Sequence, residues 1–366
     1  MVFTFTSGST TPMRTLNRYI GIHVSKGYLL VLLILLSVFS FFAFVEALDN
    51  VGTGQYRLGD ACLAILLTLP RRIIELAPIT ALLGSVIALG RLASSNELLA
   101  MQACGVSARR ISLSTLKTGF VFILAILILE FVIAPPLEQL SQTRHSVLIS
   151  GTDTLRTEQG FWFRNGRNFI NIRHIQHGRV PADIDIYEFN EHGHLHTFTQ
   201  ARKANIQRNN KWALTDITQT YIKQENITVQ HHTTIHRENL LSPEQINILL
   251  LPPESLSPSE LYQYVQYLKK HGQNADQHNL ALWKKASMPI ATSAMIVMAI
   301  PFVFGPLRVV TAGRRIMVGA MVGIVFHLGN QIAGNIGLLL ELHPAVITMT
   351  PIAAVLGVTM VLLRKI

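Results

Sequence analysis

The sequence predicts an α-helical membrane protein with six transmembrane helices, interrupted by an inserted all-β, jelly-roll-like domain. Three observations predict it: apolar runs of membrane length in two groups of three, a polar segment between them with two-residue alternation, and a one-sided distribution of Arg and Lys. A helix rises about 1.5 Å per residue, so about 20 apolar residues cross about 30 Å of hydrocarbon. The expected division is 1–137 for the first membrane half, 138–280 for the β insert with a connector helix, and 281–366 for the second half.

The first span, 27–45, carries no charged residue. A polar leader precedes it and no small-residue cleavage site follows, so it reads as a retained helix rather than a secretory signal. The second span, 61–90, contains Pro70, Arg71, Arg72 and Glu75 and is expected to be long and bent. The third, 118–137, carries Glu130 near its outer end. After the insert, 286–307, 316–340 and 345–363 supply three more spans, the last two separated by little more than a turn.

In the insert the apolar period becomes two, with turn residues closing each run. Phe161 to Phe163, Asn165-Gly166 and Phe169 to Ile172 read as strand, tight turn and strand. Ile184, Ile186 and Phe189 lead to a turn at Asn190 to Gly193; Trp212, Leu214 and Ile217 follow an Asn209-Asn210 turn, and 227–235 is a further strand. Antiparallel β structure folded as a sandwich or jelly roll follows. Ser257, Pro258 and Glu260 form the capping box and first-turn proline of an amphipathic connector helix that Gly272 can end.

Charge orients the chain. Twelve bases against one acid, Glu97, flank the spans on the side that holds both termini, whereas the insert holds fourteen of each sign. That side is cytosolic by the positive-inside rule. The formal charge of +10 is therefore a membrane-topology signal, and nucleic-acid binding is excluded. Cys62 and Cys104 fall on opposite sides and cannot pair. No phosphate-binding GxxxxGK[ST] loop, nucleophile elbow or HExxH signature occurs, so the chain carries no ATPase site and no catalytic residue of its own. His192, His194 and His196 would share a strand face and could form a metal pair or triad; a solvated strand face is the ordinary alternative.

Between the second and third spans, Ser94 to Gly105 reads as a short cytosolic helix, with Ser94 and Glu97 as capping box and Gly105 as left-handed stop. Glu97 is either that cap or a contact to a cytosolic partner. His327, Asn330, Gln331 and Asn335 recur at helical spacing and form a polar stripe on the fifth span, which either packs against a neighbouring helix or faces a cavity.

The pattern Gly90, Leu92, Glu97, Leu98, Ala100, Gly105, Ser107, followed after the insert by Phe304 to Arg308, resembles the LptF/LptG permease family. Asn17 to Ile20, Gln159 to Trp162 and Tyr264 to Gly272 extend the resemblance over essentially the whole chain, which looks nearer to the LptG branch. The resemblance implies a membrane subunit of an ATP-binding cassette machine that extracts lipopolysaccharide from the periplasmic leaflet of a Gram-negative inner membrane. It implies an LptF-like paralogue as heterodimer partner and an LptB-like ATPase dimer below, which uses ATP and Mg while this chain binds no cofactor. LptC-like and LptA-like periplasmic bridge proteins would continue the β domain.

On that resemblance, Glu97, Leu98, Met101 and Gly105 carry ATPase coupling. Arg71, Arg72, Lys284 and Lys285 are candidates for lipid A phosphates, expected near one depth, or alternatively are snorkelling anchors. Phe39, Phe42, Phe44, His327, Asn330 and Gln331 would line the cavity or a lateral gate. The outer first span lacks the lysines that several family members carry there, having Glu46 and Asp49 instead. A permease for lipoprotein or another amphipathic substrate, and a nontransporting scaffold, are the alternatives.

Overall fold

The computed structural model describes residues 11–150, 154–165, 167–176, 180–206, 212–222, 227–237, 252–270, 273–304 and 311–364. Gly166, Asn209, Asn210, Gly272 and 305–308 of the motif lie outside them. Among the described residues, six helices are long and apolar enough to cross a membrane. They are α1 (Thr11–Leu48), α2 (Leu58–Ser94), a third span built from α4 (Ala108–Ile128) running through a π-helical turn (Leu129–Ile133) into α5 (Ala134–Ser150), then α7 (Asp276–Phe304), α8 (Ala312–Leu339) and α9 (Pro344–Leu363). The short α3 (Glu97–Ala103) joins α2 to α4, and α6 (Pro258–Lys270) precedes α7. The chain divides into two compact units, 1–43 with 68–134 and 279–366, and 44–67 with 135–278.

In the first unit α2 is the hub, which its interrupted sequence did not advertise. From Leu76 to Leu89 it is almost wholly buried, including the polar Thr80 and Ser85. Glycines let its neighbours approach. A Cβ on Gly84 would lie 2.8 Å from the Tyr28 backbone nitrogen on α1, and a Cβ on Gly319 or Gly323 of α8 would lie 3.1 Å from Leu83 or Ile79. Small residues that bring backbones together are the usual adhesive of membrane helices, where apolar burial gives little preference for protein over lipid. The Tyr28 hydroxyl, 3.1 Å from the Ser85 hydroxyl, satisfies two buried polar groups at the same contact.

Among the described residues, the second unit contains six antiparallel strands in one sheet, in consecutive order. They are β1 (Thr154–Asn165), β2 (Asn168–Gln176), β3 (Val180–Phe189), β4 (Leu195–Ile206), β5 (Trp212–Ile222) and β6 (Ile227–Arg237). The expected all-antiparallel β insert is present, and its described strands follow one another as a meander. Register aligns Ile172 with Ile184, Ile184 with Ala201 and Ala201 with Ile217, giving a continuous apolar row across four strands. With Ile170, Ile186, Leu214 and the fully buried Trp212 these residues form the core, against which Tyr267 of α6 packs. The opposite face of the sheet carries Asp185, 1% exposed and bound by Arg173 at 2.6 Å, beside an aromatic row in which Trp162, Tyr187 and Phe198 stack in turn. The Ser257 capping box forms as expected: the Glu260 amide donates to the Ser257 hydroxyl at 3.2 Å while the Ser257 amide donates to the Glu260 carboxylate at 2.8 Å.

Two expectations change. His192 and His194 do not share a strand face with His196, because both lie in the β3–β4 turn, where the Asn190 side chain accepts their amides at 3.0 and 2.9 Å. No group of three metal-ligating side chains occurs among the described residues. The third span is also longer than its apolar run, since the helix continues past Glu138 to Ser150.

Candidate functional site

The predicted cytosolic helix exists but starts differently. Ser94 is the last residue of α2, Asn96 takes a left-handed conformation (φ 61°), and α3 begins at Glu97. No capping box forms, because Ser94 donates to the Gly90 carbonyl at 2.9 Å and accepts from the Arg315 guanidinium at 3.1 Å. Glu97 is instead held from outside its own helix. Its two carboxylate oxygens accept from the Tyr19 hydroxyl at 2.7 Å and the Ser95 hydroxyl at 2.9 Å. These bonds, the Tyr19 one foremost, hold the Glu97 carboxyl below the usual carboxylate range. Gly105 has φ +88° and supplies the left-handed stop.

Leu98 is 4% exposed and sits in a cluster with Ile20, Leu89, Leu92 and Ile111, so it anchors α3 to α1, α2 and α4 and offers no surface to a partner. Leu99, which sequence reasoning passed over, is 50% exposed. Met101 is half-buried and lines an open groove of about 550 Å³ with Leu16, Tyr19, Ala100, Cys104 and Val106. Arg315, in the first turn of α8, is buried against the last turn of α2, where it donates to the Gly90 carbonyl at 3.4 Å as well as to the Ser94 hydroxyl. Neither Tyr19 nor Arg315 carried a spacing signal toward α3, since 78 and 221 residues separate the bonded pairs.

The cations expected to meet lipid phosphates separate into distinct environments. Arg72 donates to the Phe39 carbonyl of α1 at 3.2 Å, and the Phe39 ring meets the His327 ring edge-on at 6.5 Å. One phosphate candidate and two gate candidates thus share a patch that joins α1, α2 and α8. Gln331 lies 3.2 Å from His327 one turn on, and Asn330 is half-buried. Phe42 is 65% exposed; Phe44 falls in the second unit. Arg71 pairs with Glu75 at 2.9 Å on the α2 surface.

Lys284 lies over Gly334, whose Cβ would come 2.9 Å from its ammonium. Gly334 is two turns beyond His327, about 10 Å along α8. Lys285 faces Glu130 at 3.9 Å. The π-helical turn carries Glu130, which is 3% exposed, into the bundle interior. The sequence placed this carboxylate at the interface with no role; it is the inner partner of a cross-helix pair.

Comparison with known proteins matches residues 18–365 to the lipopolysaccharide export system permease LptF/LptG. The chain is 32% identical over 356 residues to lipopolysaccharide export system permease protein LptG of Escherichia coli K12, covering 97% of this chain and 99% of the relative. It is 33% identical over 324 residues to the protein of that name from Haemophilus influenzae, covering 88% and 90%. With six spans, a β insert and a short helix between the second and third spans, the chain belongs to the LptF/LptG family of lipopolysaccharide export system permeases.

Proposed function

We propose that the chain is the LptG-type permease subunit of an ATP-driven exporter in the inner membrane of a Gram-negative bacterium. It draws lipopolysaccharide from the periplasmic leaflet and passes it to a periplasmic β bridge. The observation that carries this reading is similarity along nearly the full length to two permeases of that name, with membrane and β portions both included. The basic helix ends face the cytosol, as the positive-inside rule requires, and the β domain lies in the periplasm.

The work divides between this chain and its partners. An LptB-like ATPase dimer binds ATP and Mg and engages α3 from below. An LptF-like paralogue completes the lipid cavity, and LptC-like and LptA-like proteins receive the product. Lipopolysaccharide is moved by differential affinity between two cavity shapes, without covalent chemistry. Glu97 and Met101, with Leu99, form the contact to the ATPase; Leu98 and Gly105 fix the helix that presents them. Arg72 and Lys284 offer cations to lipid A phosphates beside the aromatic Phe39 and Phe42, with Arg71 and Lys285 held by Glu75 and Glu130. His327, Asn330 and Gln331 form the polar face of the gate helix.

The test is reconstitution. The chain, its paralogue and the ATPase in lipopolysaccharide-loaded proteoliposomes should release lipopolysaccharide to a soluble acceptor in an ATP-dependent way. Equal release of a triacylated lipoprotein, or release without the ATPase, refutes the reading.

A further inference from the structure

At the basic end of the bundle, α1 and α4 approach where a Cβ on Gly21 would lie 3.1 Å from the Thr118 hydroxyl. Above that contact opens a groove of about 520 Å³. Arg18 and Lys26, two turns apart on α1, and Lys117 on α4 line it. All three are exposed, and none pairs with an acid among the described residues. The same groove is walled by Ile22, Leu29 and Val121, which are 44%, 58% and 65% exposed. From Arg18 to Leu29 the helix rises about 16 Å, from the headgroup level into hydrocarbon.

We infer that this groove is a binding site for an anionic phospholipid of the leaflet bordering the basic end, its phosphate held among Arg18, Lys26 and Lys117 and its acyl chains lying along Ile22, Leu29 and Val121. Charge complementarity selects the occupant. Three cations from two helices line one concavity and pair with no acid among the described residues, which leaves a local positive charge that a phosphodiester neutralises. A soluble anion would leave the apolar wall uncovered, and a zwitterionic lipid would bring its own cation into the cluster. Snorkelling lysines on a convex helix meet whichever headgroup is adjacent; a groove with apolar continuation retains one molecule. The site lies away from Arg72, Phe39 and His327 and needs no assumption about which lipid is exported.

The test uses the complete exporter, purified in mild detergent and examined by native mass spectrometry after titration with phosphatidylglycerol, phosphatidylcholine or inorganic phosphate. Phosphatidylglycerol should remain bound, and Arg18→Gln/Lys26→Gln/Lys117→Gln should weaken it by about fivefold per cation, or about 100-fold in all at low salt. Phosphatidylcholine should be indifferent to the substitutions. Photoactivatable phosphatidylglycerol in the unsubstituted complex, which depends on no variant folding, should label α1 and α4 around the groove. Equal phosphatidylglycerol retention by the triple variant, displacement by inorganic phosphate at matched concentration, label confined to other helices, or crosslinks showing the paralogue seated in the groove would each overturn the site.

Discussion

Glu130 and Lys285 set the sharpest energetic expectation. Removing Glu130, as in Glu130→Ala, leaves Lys285 facing the bundle interior without the carboxylate that stands 3.9 Å from it. At that separation the attraction is about 4 kcal/mol for an effective dielectric of about 20, the desolvation of both ions opposing it. With Glu130 3% and Lys285 19% exposed, solvent screens the pair weakly, so truncating either partner should cost about 3–5 kcal/mol. Replacing both by neutral groups of similar shape, Glu130→Gln with Lys285→Met, removes the two charges together and should lie within about 1 kcal/mol of the original chain. The assay is the denaturation midpoint of the purified complex in a mixed-micelle titration, with the four chains forming a double-mutant cycle. Single substitutions that each cost under about 1 kcal/mol, or a double variant as unstable as the sum of the singles, refute the reasoning. Should Lys285 also serve a lipid phosphate, the double variant recovers its midpoint and still exports poorly.

Tyr19→Phe deletes the longer-range of the two bonds on Glu97 and should lower ATPase association with the complex about 3- to 10-fold in a pull-down titration, with no further loss in a Glu97→Gln background. Equal losses in both backgrounds would show that Tyr19 acts elsewhere. Because the Glu97 carboxyl titrates below its ordinary value of 4.5, whatever it contributes is fully present above that pH and disappears only as the pH falls through the lowered value. A carbon-13 titration of labelled Glu97 with its midpoint at or above 4.5 would contradict this. Gly84→Ala drives a methyl group into Tyr28 and should lower stability by at least about 1–3 kcal/mol, measured by the same micelle titration. Trp212→Ala opens the fully buried centre of the sheet and should cost about 3–5 kcal/mol, visible as proteolysis of the β portion at temperatures where the intact protein resists.

The membrane half was legible from length and charge alone, because hydrocarbon admits only helices at that density of apolar residues. The capped connector helix and the turn at Asn190 to Gly193 were legible for a similar reason: a capping box or an Asn turn acts within four residues of itself. What escaped was everything that depends on distant approach. The polar interruptions that made α2 look like a weak span are met in place: Arg71 pairs with Glu75 on the same helix and Arg72 donates to the Phe39 carbonyl of α1. Leu98 and Leu99 are indistinguishable in sequence, and only the left-handed turn at Asn96 decides which faces the core. Glu130 seemed interfacial because a regular helix was assumed; the π-helical insertion rotates it inward toward a lysine 155 positions away. The Ser94 box failed because Arg315 competes for the same hydroxyl.

Only Ser95 and Asn96 separate the end of α2 from the start of α3, and both are committed, one by a hydroxyl within donating reach of Glu97 and of α2 carbonyls and the other by its left-handed backbone. A joint this short has no slack. Under the proposed coupling, a push on α3 would meet no yielding linker and would be passed to the buried α2, whose neighbours pack closely at Gly84, Gly319 and Gly323.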